Sequence, residues 1–201
     1  MCLIALSDTG FEELTPDFWQ SACAANQHGM GWMFHDGLQL WAHSQESYCP
    51  EAIAAAVASL PKGTRAAIHL RDSTFGARGS ENLHPHLAHF PGERPLQLAL
   101  MHNGSVAGLP AVPDTGPSDT ALLLHTWIAP RMSARPHVWS EPDLLGQLAA
   151  FVGERNRLVL LDSTGAWRVI GEQEGFRVGG TWLSNPRARA WLSNPRARAR
   201  L

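Results

Sequence analysis

The 201-residue sequence has little from which a covalent or electrostatic scaffold could be built. Its only cysteines are Cys2, Cys23 and Cys49, an odd and sparse set that argues against a disulfide framework and fits free thiols in a reducing compartment. Neither sign of charge is in excess: a formal net charge of -2 gives no global attraction to nucleic acid or to an anionic membrane surface. No run approaches the roughly 18 consecutive apolar residues of a membrane span, and no basic region followed by an apolar core marks an export signal. A cytoplasmic protein with neither nucleic acid nor membrane as partner is the expectation. What is present is core material, 44% hydrophobic residues, enough for one well-packed domain.

Along the chain, "CLIAL" reads as a buried strand, and Thr15-Pro16 opens an amphipathic helix to about Ala25. Asp36-Gly37, between two apolar and aromatic runs, signals a hairpin. An alanine-rich helix over residues 50–60 leads through "PKGT" to a strand at "RAAIHLR", and "PLQLALMHNG" is the next strand. Between those two strands, Asp72 to Arg94 reads as a long polar loop, a length usually tied to function. "GPSDTALLLHTWIA" and "EPDLLGQLAAFV" read as helices, "NRLVLLDSTGAWRVIGE" as two strands about a turn, and "GGTWLSN" as a last strand. Strands outnumber helices, which points to an α+β sandwich with antiparallel sheets. The nonapeptide "WLSNPRARA" at 182–190 recurs at 191–199, too short a unit for a solenoid, so the division is a domain over 1–185 and an Arg-rich tail over 186–201.

Four places can carry chemistry. Cys2 follows the initiator methionine: it is either a small buried hydrophobe or, once Met1 is trimmed, a terminal residue whose α-amine serves as base toward its own thiol. Arg71, at a strand end with His69 on the same face, is either an exposed salt-bridging residue or a bidentate clamp for a carboxylate. Asn103-Gly104 is either a turn or a pair of donors for an oxyanion. Asp119 is either a helix cap or the holder of an ammonium group. Taken together they describe a substrate with an α-carboxylate, an α-ammonium and a scissile amide.

Met1-Cys2, "NQHGMGW", "HLRDSTFG", "ENLHPH", "HNG" and "SDT" occur in the order seen in class II glutamine amidotransferases, and the chain resembles the small stand-alone members of that family. The resemblance implies an N-terminal-nucleophile hydrolase with a four-layer αββα sandwich of two antiparallel sheets, and no cofactor. It implies that Cys2 attacks the side-chain amide of glutamine, or a γ-glutamyl amide, to form a thioester, with Asn103 and the Gly104 N–H stabilising the oxyanion. Arg71 would bind the α-carboxylate and Asp119 the α-ammonium, while His84 would shape the substrate pocket. Ammonia would leave for solvent or for a separate acceptor enzyme.

The chain departs from the family pattern in having Asp72 and Phe75 after Arg71, where an aromatic residue and a histidine are usual, and Leu3 after the nucleophile, where glycine is common. These departures motivate an alternative, a catalytically degenerate amidotransferase-like binding domain. A further alternative is a metal hydrolase ligated by His84, His86 and His89.

Overall fold

Alternation in the strands decides the architecture. In β1 (Leu3–Ser7), Leu3 and Ala5 join one apolar cluster while Ile4 and Leu6 join another. In β6 (Leu96–Asn103), Leu98 and Leu100 face one cluster and Ala99 and Met101 a second; β7 (Arg157–Asp162) divides likewise, Leu158 and Leu160 from Val159 and Leu161. Strands that are apolar on both faces must be covered on both, and four layers do that. The computed structural model describes residues 2–73, 76–110, 115–133, 139 and 141–192.

Helix α1 (Pro16–Ala25) starts where Thr15 accepts the Phe18 N–H through its hydroxyl at 3.3 Å, with Pro16 preset for the first turn. It buries Phe18, Trp19, Ala22 and Cys23; with Ile53 and Ala56 of α2 (Pro50–Ser59), these cover the outer face of the first sheet. That sheet adds β2 (Met30–His35), β3 (Leu40–Gln45), β4 (Ala66–Leu70), β9 (Phe176–Val178) and β10 (Thr181–Leu183) to β1, in the order β3-β2-β4-β1-β10-β9.

The second sheet runs β5-β6-β7-β8, with β5 at His86–Phe90 and β8 at Trp167–Ile170. Its outer face is covered by a helical run, α3 (Asp119–Leu122), a π-helical stretch (Leu123–Ile128) and α4 (Ala129–Met132), and by α5 (Pro142–Val152). Between the sheets lie Ile4, Leu6, Met33 and Ala67 from one side and Ala99, Met101, Val159 and Leu161 from the other. All pairings between described strands are antiparallel. The α+β four-layer sandwich expected from the resemblance is the observed fold.

Two sequence expectations need correction. The polar segment 72–94 is not one loop: β5 crosses it, with His86, Ala88 and Phe90 buried and Leu87 and His89 exposed. That alternation is a strand signal obscured by two histidines. A separate strand, β9, precedes β10, and the two pair through Thr181 and Val178.

Residues 186–192 continue the packed structure. Ala188 is fully buried, and Trp191 of α6 (Arg189–Leu192) meets Phe18 with ring centroids 6.0 Å apart. The repeat units differ in form: Trp182 opens the first copy in a strand, Trp191 opens the second in a helix. Most of the second copy, with Met1 and Phe75, lies outside the described residues. The three cysteines are free, and no described helix is long and apolar enough to cross a membrane.

Candidate active site

The register of β1 on β4 pairs Leu3 with Leu70, and alternation then puts Cys2 on the face of Ile4, toward the space between the sheets. The strand on its other side fixes it in place. Ser184 accepts the Ile4 N–H at 2.8 Å and returns its own N–H to Ile4 O at 2.9 Å, while Asn185 Nδ2 donates to Cys2 O at 3.3 Å. The Asp72 N–H donates to Cys2 Sγ at 3.4 Å. Burial raises the Cys2 thiol pKa above its ordinary value, and the Asp72 N–H works against that by stabilising the thiolate. The sulfur rests as a thiol with a thiolate-stabilising donor in place.

Cys2 borders a tight cavity of about 20 Å³, well below the roughly 300–1,000 Å³ of typical ligand sites and room for about a single water. Arg71, His84, Gly104 and Asp119 line the same cavity, so five of the six candidate residues come together. Arg71 is only 3% exposed, and its Nη2 donates to Ser73 Oγ and Ala77 O, each at 3.0 Å. Burial lowers its pKa, but a guanidinium keeps its charge. It is therefore a fixed cation in the wall, not an exposed surface residue.

Ser118, not Asp119, caps the helix, accepting the Ala121 N–H at 3.2 Å. Asp119 Oδ2 instead accepts the Val106 N–H at 2.9 Å, so the carboxylate pins the loop after Gly104 while lining the cavity. Asn103 stands apart from the five: its Nδ2 donates to Ser184 Oγ at 2.9 Å, and it is absent from the cavity wall among the described residues. Asp72 lines the cavity and approaches His28 Nδ1 at 3.4 Å. That nitrogen accepts the Ser73 N–H at 2.8 Å, so it has no proton for Asp72, and the contact is not an ion pair.

Four buried histidines cluster at the cavity, with His84 and His102 in its wall and His69 and His86 behind them. Burial holds His69 down to about 3 and His86 to about 4, pushes His84 well below its ordinary value and also lowers His102. All four are neutral near pH 7. His69 Nε2 donates to His102 O at 3.1 Å, which joins the two sheets. The orientation of His102 follows from its partners. Val152 O can only accept, so Asn156 turns its Nδ2 to it and its Oδ1 to His102 Nε2, 2.7 Å away. His102 Nε2 thus carries the hydrogen, and its Nδ1 takes the Thr120 hydroxyl at 2.8 Å.

Two glycines make room for this arrangement. A Cβ on Gly31 would strike the His84 carbonyl, and one on Gly104, at φ +150°, would strike Asn156 Oδ1. The metal alternative does not match the geometry. His86 and His89 lie on opposite faces of β5, and no group of three or more metal-binding side chains converges among the described residues.

Asn82, Asn156, Thr120 and Ser184 are the supporting residues that sequence reasoning missed. Asn82 donates to Ala77 O at 3.1 Å and Gly116 O at 3.0 Å and accepts the Ser118 N–H, tying the Arg71 loop to the Asp119 helix. Its place inside "ENLHPH" was the available signal. Ser184 and Asn156 carry none, since their partners are 180 and 54 residues away.

No family model matches the chain, and no curated protein does. Among solved structures it is similar to glutamine phosphoribosylpyrophosphate amidotransferase from B. subtilis complexed with ADP and GMP, at 18% identity and a TM-score of 0.47. It is also similar to a structure described as the allosteric regulatory enzyme of purine biosynthesis, at 22% identity and a TM-score of 0.55. Each match covers 96% of this chain and 43% of the other, so the chain spans less than half the length of the solved chains it matches. Over nearly its whole length the chain shares the α+β fold of two packed antiparallel sheets with this enzyme of purine biosynthesis, as its resemblance to the class II amidotransferases implies.

Proposed function

We propose that the chain is a class II glutamine amidotransferase-type domain that hydrolyses the side-chain amide of glutamine, or a γ-glutamyl amide, through Cys2. The observation that carries this reading is the meeting of Cys2, Arg71, Gly104 and Asp119 around one small cavity, from four separate stretches of sequence. With Met1 removed, the Cys2 α-amine takes the thiol proton and the sulfur attacks the amide carbon, forming the C–S bond. The Gly104 N–H holds the oxyanion, and the Asn103 amide joins it by turning away from Ser184, where its Nδ2 rests 2.9 Å from Oγ and 3.5 Å from the carbonyl oxygen. The amine returns the proton to the leaving nitrogen, the C–N bond breaks, and ammonia departs. Water then attacks the thioester, the C–S bond breaks, and the carboxylic acid product is released.

At the other end of the substrate, Arg71 binds the α-carboxylate and Asp119 the α-ammonium. Ammonia delivery to a separate acceptor enzyme and a cytoplasmic location belong to the same proposal. The test is a panel of glutamine and γ-glutamyl amides, assayed for ammonia and the free acid, with Cys2→Ala as control. Turnover lost in Cys2→Ala is the expected result. No turnover, with no adduct on Cys2 from a glutamine-analogue affinity label after Met1 removal, points to the degenerate binding domain instead.

A further inference from the structure

His84 is 4% exposed, lines the cavity beside Cys2, and has at its Nε2 a buried polar atom with no hydrogen-bond partner among the described residues. Such atoms are rare and each needs an explanation. The protonation of that atom follows from the other side of the ring. His84 Nδ1 lies 3.2 Å from His69 Nδ1 and 2.9 Å from His69 Nε2, with ring planes at 85° and centroids 4.1 Å apart. An atom that close to both ring nitrogens would collide with the carbon between them if it lay in the ring plane. It therefore lies over the ring face, where it meets π density and no in-plane lone pair. A nitrogen lone pair aimed at that face is repelled, whereas an N–H is attracted, so His84 Nδ1 carries the hydrogen. With one proton on the ring, Nε2 is left as a bare lone pair. Burial keeps it so, since the charged form is disfavoured.

A buried lone pair without a donor is costly until a ligand brings one. We propose that His84 Nε2 accepts an N–H of the substrate's scissile amide, making His84 the residue that selects amides over esters and free acids at the Cys2 site. This rests on the amidase reading of that site. An amide nitrogen brings the donor that Nε2 needs. An ester oxygen or a product carboxylate presents a lone pair to a lone pair, and is disfavoured in the same position. Sites built to hydrogen-bond a substrate N–H or O–H discriminate strongly against analogues lacking it, because their own buried group is then left unpaired. The hydrogen bond is lost when the C–N bond breaks and ammonia leaves, so His84 holds substrate and not acid product.

The experiment measures kcat/KM on glutamine and on glutamate γ-methyl ester, with Met1 removed, for the wild-type chain, His84→Leu and His84→Gln. Leucine removes the acceptor, while glutamine restores a carbonyl oxygen near Nε2. The expected result is an amide-over-ester ratio that falls about 10- to 100-fold in His84→Leu, mainly through the amide, and recovers in part in His84→Gln. Inhibition by glutamate should tighten in His84→Leu. A ratio unchanged in both variants, or equal losses on amide and ester, would overturn the His84 assignment while leaving the amidase reading intact. A wild-type chain that consumes neither compound overturns both. If His84→Leu does not fold, the ratio in His84→Gln against the wild-type chain decides: a drop supports the assignment, and no change refutes it.

Discussion

The backbone N–H of Asp72 meets Cys2 Sγ at 3.4 Å, while the side chain of the same residue places a carboxylate beside the sulfur and raises its pKa. One residue thus acts on the thiol in two opposite senses, and only the second depends on its side chain. Asp72→Asn keeps the main-chain donor and removes the charge. Iodoacetamide should then alkylate Cys2 about two- to fivefold faster at pH 8, and the pH profile of alkylation should shift toward lower pH. Peptide mass spectrometry over a pH series reads both.

Besides the ammonium binding proposed for it, Asp119 accepts the Val106 N–H, a bond that an asparagine carbonyl can also make. Asp119→Asn should leave the thermal midpoint nearly unchanged. It should raise KM for glutamine by about 10- to 100-fold, the loss of one charge-assisted hydrogen bond, with kcat less affected. A substrate analogue lacking the α-ammonium should show no such rise.

Gly31 is the floor under His84. A methyl group there meets the His84 carbonyl, a backbone atom that cannot turn aside. Gly31→Ala should cost about 1–3 kcal/mol, as overpacking in a close-packed interior does, and lower the thermal midpoint by about 2–10 °C. Calorimetry or circular dichroism melts would show it. An unchanged melt would mean that β2 and the His84-Pro85 segment are free to separate.

Acid should destabilise the fold in a defined window. The unfolded chain has histidines that titrate near 6.5, whereas burial holds His86 down to about 4 and His69 to about 3 in the folded chain. Between those values the unfolded state binds more protons. Stability is therefore full above about pH 6.5 and falls as pH drops from there toward 4, by about 1.4 kcal/mol per pH unit for each such histidine. Denaturant melts at pH 7.5, 6 and 5 should trace that fall, and His86→Phe should make it shallower by one histidine's share.

Local signals were legible in the sequence where local physics decides. The Thr15-Pro16 start, the alanine-rich α2 and the apolar runs of β6 and β7 all reappear as read. The β5 strand was not, because its outward positions include His89 and its inward ones His86, so the alternation looked polar throughout. Asp119 and Ser118 could not be told apart as caps, since both suit a helix start and only the Ala121 N–H shows which one is used. Cys2, Arg71, Gly104 and Asp119 were found through ordered motifs, but their supports were not. Asn156, Thr120 and Ser184 act through side chains that meet only once the sheets are in register.

The β1–β10 contact sets a timetable. The groups that seat Cys2, Ser184 and Asn185, lie about 180 residues further along the chain. A nascent chain therefore carries Cys2 long before it has a socket for it. Whatever reactivity that sulfur has against an amide is withheld until β10 closes the sheet, so synthesis through residue 185 is itself the arming step.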